Sequence, residues 1–292
     1  MYDFMRLPIY QVDAFASKVF RGNPAAVCPL DVWLPDATMQ AIAAENNLSE
    51  TAFFVKNADG SYHLRWFTPE SEIPLCGHAT LASAYVLFEE LGFTGEVLRF
   101  QSMTGELRVT KQFRNGKTLF FLDFPTRPVH APDDVQYLTM KTLSAAFGKQ
   151  PLELWQSGPN YLVVLETARD VIDLEPDFFT LRTVDIRGII VSATVANSLT
   201  QAQAAAQECD VVDFVSRFFA PADGINEDPV TGSAHSTLVP FWAERLGKTK
   251  LIAHQASKRG GDLYCELKEV DGEQRVMMGG HVVPYLQGFI EI

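Results

Sequence analysis

Two octets hold the side chains whose types and spacing best suit chemistry: Glu72 to Ala79, reading EIPLCGHA, and Glu227 to Ala234, reading EDPVTGSA. They agree at Glu, Pro, Gly and Ala and differ, where the side chain could do chemistry, at Ile73/Asp228, Cys76/Thr231 and His78/Ser233. A framework that is kept while its reactive positions change is what a duplicated scaffold with one asymmetric site should show. His78 follows Gly77 at a helix start, where the helix dipole and desolvation both disfavour a positive charge. A lowered pKa is expected, with a neutral imidazole that donates or accepts a proton near pH 7. Asp228, before Pro229, suits either an acceptor in the site or an N-terminal cap. Ser233 has neither the Gly-x-Ser-x-Gly surroundings of a nucleophile nor a partner His at a diagnostic spacing, and reads as a helix-start hydroxyl. The stretch Asp228 to Ser233 lacks the Lys of a phosphate-binding loop, so nucleotide hydrolysis has no support. The other histidines, His63, His130, His235, His254 and His281, show no metal-ligand spacing, and no metal site is expected.

The elements that must position these residues come in two copies. Gly77 and Gly232 lie 155 positions apart, and the same offset links Glu89, Leu91 and Gly92 to Glu244, Leu246 and Gly247. Upstream, Arg65-Trp66-Phe67-Thr68-Pro69 resembles Arg217-Phe218-Phe219-Ala220-Pro221 at an offset of 152, so the second copy carries three extra loop residues. A weaker echo links Gln101 and Gly105 to Gln255 and Gly261. Each copy reads as a strand, a Pro-containing loop, a Gly, a helix, then two strands joined by a Gly turn. In the first copy 62–67 is the strand, and the helix over 79–91 is apolar nearly all round (Leu81, Ala82, Ala84, Tyr85, Val86, Leu87, Phe88). A helix without a polar face belongs inside a curved sheet. In the second copy Pro240 should kink the matching helix or end it early.

Further patterns predict a helix over 36–46 and strands over 52–55, 98–111, 119–124, 161–165, 188–192, 251–255 and 263–267. Pro125-Thr126-Arg127-Pro128 reads as the crossing between halves, and 288–292 as a return to the first. The expected fold class is α/β (α+β), with two pseudo-symmetric domains, each a curved mixed sheet around a central helix. The first covers 1–125 with the tail from about 283 to 292, and the second 126–282. Pseudo-two-fold packing would aim both Gly-led helix starts into the cleft between halves, where unpaired N–H groups suit a small carboxylate; each Gly equally fits a plain strand-to-helix turn.

Bulk properties narrow the function classes. A chain of 292 residues, 47% hydrophobic and 21% charged, is ordinary for a globular protein and large enough for two cores. A net charge of −12, spread along the chain, disfavours nucleic acid and anionic membranes as partners. No stretch approaches a membrane span, the first ten residues do not read as a signal peptide, and Cys28, Cys76, Cys209 and Cys265 have no paired spacing; a cytoplasmic location with free thiols is expected.

Arg21-Gly22-Asn23-Pro24-Ala25-Ala26-Val27, Asn47-Leu48-Ser49-Glu50-Thr51-Ala52-Phe53, the Cys76-Gly77-His78-Ala79 turn and the second octet, in this order, resemble the phenazine biosynthesis PhzF-like family. The likeness runs nearly the whole chain to the tail 282–292. It implies the diaminopimelate-epimerase-like fold, a homodimer, and an isomerase that moves a proton on a small cyclic or unsaturated carboxylic acid with neither metal nor organic cofactor. Carried over by motif, the catalytic carboxylate falls on Glu50, with His78 and Asp228 as catalytic partners; Asn23, Gly77, Gly232 and Ser233 would hold the substrate. The residue itself agrees: Glu50 sits in a short turn before an apolar strand, where partial burial would raise its pKa towards that of a proton shuttle. Members tied to phenazine synthesis tend to carry Pro after the Gly-His pair where this chain has Ala79, which leaves the substrate open. Related racemases use one cysteine per half; Thr231 faces Cys76 in the alignment, so a two-thiol racemase is disfavoured and Cys76 reads as a packed residue. An amino-acid epimerase with another pair of bases, or a non-catalytic binding protein on the same scaffold, are the alternatives.

Overall fold

The computed structural model describes residues 5–114, 116–132, 136–195 and 212–292; Cys209 lies outside them. The chain forms two compact units, one of Met1–Phe124 with Met278–Ile292 and one of Pro125–Met277. The first runs β1 (Arg6–Ala14), β2 (Asn23–Leu30), α1 (Asp36–Asn46), β3 (Glu50–Lys56), β4 (Tyr62–Phe67), the short β5 (Glu72–Ile73), α2 (Gly77–Tyr85), β6 (Val97–Ser102), β7 (Gly105–Arg114) and β8 (Lys117–Pro125). The second follows with α3 (Gln136–Phe147), β9 (Glu153–Ser157), β10 (Asn160–Val164), α4 (Ala168–Ile172), α5 (Phe178–Leu181), β11 (Gly188–Thr194), β12 (Phe214–Phe219), α6 (Gly232–Leu246), β13 (Lys250–Gln255), β14 (Gly261–Val270) and β15 (Glu273–Gly280). The last strand, β16 (Val282–Glu291), returns to the first unit and pairs antiparallel with β1.

The duplication is visible in the pairing pattern. In the first unit the order is β16-β1-β2-β3-β4-β6-β7-β8, with β2/β3 and β4/β6 parallel and β1/β2, β3/β4 and β6/β7 antiparallel. In the second it is β9-β10-β11-β12-β13-β14-β15, with β10/β11 and β12/β13 parallel and β9/β10, β11/β12 and β13/β14 antiparallel. Parallel neighbours need a long connection, and both units use helices for it: α1 and α2 in the first, α4 with α5 and then α6 in the second.

Side-chain size and alternation place the cores. In β2, Ala26, Cys28 and Leu30 join Met39, Ile42 and Ala43 of α1 in one apolar cluster. The alternate residues Ala25 and Val27 are buried as well, so the strand is covered on both faces. Every residue of α2 from Gly77 to Ala84 is buried, and the helix lies against β1, β2 and β3. Its small residues allow close approach, and its hydroxyls are satisfied within the helix, Thr80 Oγ1 donating to Cys76 O and Ser83 Oγ to Ala79 O at 2.8 Å. The α-helix stops at Tyr85 and continues as a π-helical turn, Val86–Glu90, closed by Leu91 N–H to Val86 O at 2.9 Å.

In the second unit, α6 runs 15 residues through Pro240, so the proline does not end the helix early. Proline removes the N–H that would bond the carbonyl four residues back. That carbonyl, Ser236 O, accepts instead from Arg127 N–H at 2.9 Å.

Candidate active site

In the first unit the candidate residues are brought together by strand starts and a helix start. Gly22 has φ +66°, and a Cβ there would come within 2.1 Å of Ala14 O, so only glycine lets the chain turn into β2 at this point. Asn23, fully buried, is the next residue and pairs with Ala14 of β1. Glu50 is the first residue of β3, rather than part of a turn ahead of it, and pairs with Ala25 of β2. Asn47, in the left-handed conformation at φ 49°, closes α1 with its N–H on Ala43 O and turns the chain towards that strand.

His78 lies in the first turn of α2 and is 4% exposed; Glu50 is 9% exposed. Nε2 of the ring is 2.9 Å from Glu50 Oε2. On the opposite edge, Nδ1 is 3.1 Å from Asn23 Nδ2 and 3.5 Å from Cys76 Sγ. A neutral ring protonated at Nε2 can accept from the Asn23 amide at Nδ1, whereas an imidazolium donates at both edges and calls for the amide oxygen instead; the Nε2–Oε2 approach is close without hydrogen-bond alignment. Glu50, His78, Asn23, Gly77 and Cys76 thus form one buried group, to which Cys76 is an addition that spacing alone read as packing.

The direction of the His78 shift corrects the sequence-based expectation. Burial does push the imidazole down, but Cys76 and the Glu50 carboxylate outweigh it and hold the ring well above its ordinary value of 6.5. The Cys76 thiol is itself pushed up to about 11, first by burial and then by Glu50, against His78. Cys76 and Glu50 therefore both act on the ring against burial, Cys76 more strongly. A full charge 2.9 Å away outweighs the partial charge of a helix end, which is roughly half an elementary charge and spread over several N–H groups.

The second unit gathers its own set. Asp228 is half-buried and meets the Thr231 hydroxyl. Gln255, at the end of β13, donates to Asp228 O at 2.8 Å and accepts from Thr231 N–H at 2.8 Å, bracing the loop before α6. Thr231 is the residue before the helix, and Asp228, on its hydroxyl, helps hold the loop that leads into it. Gly232, buried, and Ser233, half-buried, are the first two helical residues. His235 Nδ1 donates to Thr231 O at 2.9 Å, the place that Thr80 takes on Cys76 O in the first copy. Burial lowers the His235 pKa to about 4, so this ring is neutral near pH 7. The bracing role of Gln255 was missed: its only trace in the sequence is the weak echo with Gln101, which bonds Glu106 instead.

The two octets share one further feature. Arg65 forms a bidentate pair with Glu72, both contacts at 2.7 Å, and Arg217 forms the same pair with Glu227 at 2.7 and 2.9 Å. In each copy the pair ties the strand to the loop that leads into the buried helix, across an insertion of three residues in the second. These are among the framework positions that the octets and the upstream blocks hold in common.

This geometry and topology belong to a known class. The sequence model of the phenazine biosynthesis-like protein family PhzC-PhzF matches residues 12–288, and the chain belongs to that family. An uncharacterized isomerase of Pseudomonas aeruginosa is 46% identical over 291 residues, covering 99% of this chain and all of that one. The crystal structure of a PhzF-family phenazine biosynthesis protein of Enterococcus faecalis matches with a TM-score of 0.84 and 45% identity, covering 99% of this chain and 100% of that one. A hydroxyproline epimerase of Agrobacterium vitis, solved with bound trans-4-OH-L-proline, matches with a TM-score of 0.58 at 11% identity over 98% of this chain and 93% of that one, a likeness of fold alone. The fold is the diaminopimelate-epimerase-like one, a mixed α/β architecture of two similar halves, and membership places the chain among isomerase-like proteins.

Proposed function

We propose that this protein is a cofactor-independent isomerase that moves a proton on a small cyclic or unsaturated carboxylic acid by general acid/base catalysis, with Glu50 as the proton carrier. The observation that supports it most is the buried contact of Glu50 Oε2 with His78 Nε2 at 2.9 Å. A carboxylate set against an imidazole in a dry site is oriented, as a base at carbon requires. Glu50 takes the proton as the C–H bond breaks, the electron pair enters the conjugated system, and the same carboxyl returns the proton to another carbon. No net oxidation occurs. Asn23 and Gly77 hold substrate beside this pair, and Asp228, Gly232 and Ser233 carry the roles the family resemblance implies. Homodimeric assembly and a cytoplasmic location belong to the same reading.

Incubating the protein with candidate unsaturated carboxylic acids in D₂O tests it. Deuterium incorporation with migration of a double bond and no inversion at a stereocentre is the expected result; tight binding without any exchange would make the chain a binding protein. A second reading, an amino-acid epimerase or racemase, draws on the Cys76 thiol 3.5 Å from His78, and exchange with inversion would select it.

A further inference from the structure

Glu50, Cys76 and His78 are a cluster of three metal-ligating side chains: one ligand atom of each lies within 4.8 Å of the others, and all three are buried. Among the described residues it is the one such group. We propose that these residues bind a single thiophilic divalent cation, Zn²⁺ or Cd²⁺, and that the bound ion shuts off proton transfer at Glu50 by occupying its lone pairs. The metal site goes beyond the isomerase reading, while its effect on proton transfer at Glu50 rests on that reading.

The donor set selects the ion. Thiolate, imidazole and carboxylate are the three ligand types that zinc accepts, whereas Mg²⁺ and Ca²⁺ prefer oxygen alone. Metal–ligand bonds of about 2.0–2.3 Å in a tetrahedron set ligand atoms about 3.3–3.8 Å apart. The Sγ to Nδ1 separation of 3.5 Å already lies in that range. His78 now faces its partners with opposite nitrogens, so the ring must turn to give one nitrogen to the ion. Three protein ligands leave the fourth position open to water or to an acid.

On binding, the thiol gives its proton to solvent, as does the ring nitrogen that turns to the ion if it carries one, and bonds form from metal to sulfur, nitrogen and oxygen. The bound set of a dication, a thiolate, a carboxylate and a neutral ring carries no net charge, which spares the buried site its largest cost. The positive end of α2 opposes the ion with only about half an elementary charge.

The test uses the full chain stripped of metal with a chelator and titrated with CdCl₂, followed by the ultraviolet charge-transfer absorbance of a cadmium–thiolate bond. Zinc affinity is read by competition with a chromophoric indicator. One equivalent should saturate the absorbance, and zinc should bind with a dissociation constant of about 1 μM or below. Cys76→Ser should abolish the absorbance and weaken zinc about 100-fold or more, Glu50→Gln should weaken zinc while keeping the absorbance, and Cys265→Ser should change neither. Absence of the band in folded wild type, or its survival in Cys76→Ser, overturns the proposal. Should Cys76→Ser fail to fold by circular dichroism, unchanged zinc affinity in both Glu50→Gln and His78→Gln overturns it equally. Binding is scored without turnover, so a protein that exchanges protons but binds no metal defeats this inference alone. One that binds metal yet works normally as Glu50→Gln keeps the metal site and defeats the isomerase reading together with the inhibition at Glu50.

Discussion

His78 answers to two neighbours at opposite edges of one ring, and its protonation follows from their charges. Because its folded pKa is raised above the ordinary 6.5, its contacts with Cys76 and Glu50 contribute stability that is fully present below pH 6.5 and is lost as pH rises through the raised value. Histidine-selective NMR of the wild type should show this imidazole still charged above pH 7, and Glu50→Gln should bring its titration down, because burial then acts with less opposition. An unmoved midpoint in Glu50→Gln would contradict a share of Glu50 in the shift. His235 behaves in the opposite sense. Its folded pKa of about 4 means that its contribution is present above 6.5 and is lost as pH falls from 6.5 towards 4, at about 1.4 kcal/mol per pH unit. Urea titrations of His235→Thr, which installs the residue of the first copy, should show a smaller loss of stability over that acid window than the wild type.

At the scale of elements, the two Arg–Glu pairs hold the approaches to α2 and α6 but differ in surroundings. The Arg217 side chain is 10% exposed against 16% for Arg65, and Arg217 also reaches the carbonyls of Val171 and Leu174. Removing the charge of Glu227 leaves a buried guanidinium uncompensated, a loss of about 3 kcal/mol or more, whereas Arg65 keeps a second partner in Asp36. Glu227→Gln should therefore lower the denaturation midpoint clearly more than Glu72→Gln. Equal losses in chemical denaturation would show that the second pair is not buried in effect. Gly22 makes a separate demand: Gly22→Ala adds a Cβ against Ala14 O in a left-handed conformation and should cost more than about 1 kcal/mol while shifting Asn23 away from His78. Thermal melts and the His78 resonance would report both effects.

For the whole molecule, legibility followed the range of the interactions. Periodicity is local, so the helix over 36–46 and the strand over 62–67 are found where they were read, and the offsets of 152 and 155 reappear as repeated ion pairs and repeated parallel and antiparallel neighbours. Burial of the central helix was legible because it has no polar face. What sequence could not carry was long-range: the distance from Glu50 to His78, which contributes to the rise of the His78 pKa, and the Arg127 N–H that takes the carbonyl Pro240 leaves free. The contact of Cys76 with His78 is local, but the burial of both with Glu50, which makes one group of them, is set by how β3 and α2 meet. The central claim is that Glu50 carries the proton, and Glu50→Gln tests it most directly by keeping size while removing acid/base capacity. With an acid that wild type exchanges in D₂O, Glu50→Gln should exchange about 10²- to 10⁴-fold more slowly with binding nearly unchanged, and Glu50→Asp should retain the pH dependence at reduced rate. Near-normal exchange by folded Glu50→Gln would contradict the account and move the base to another residue.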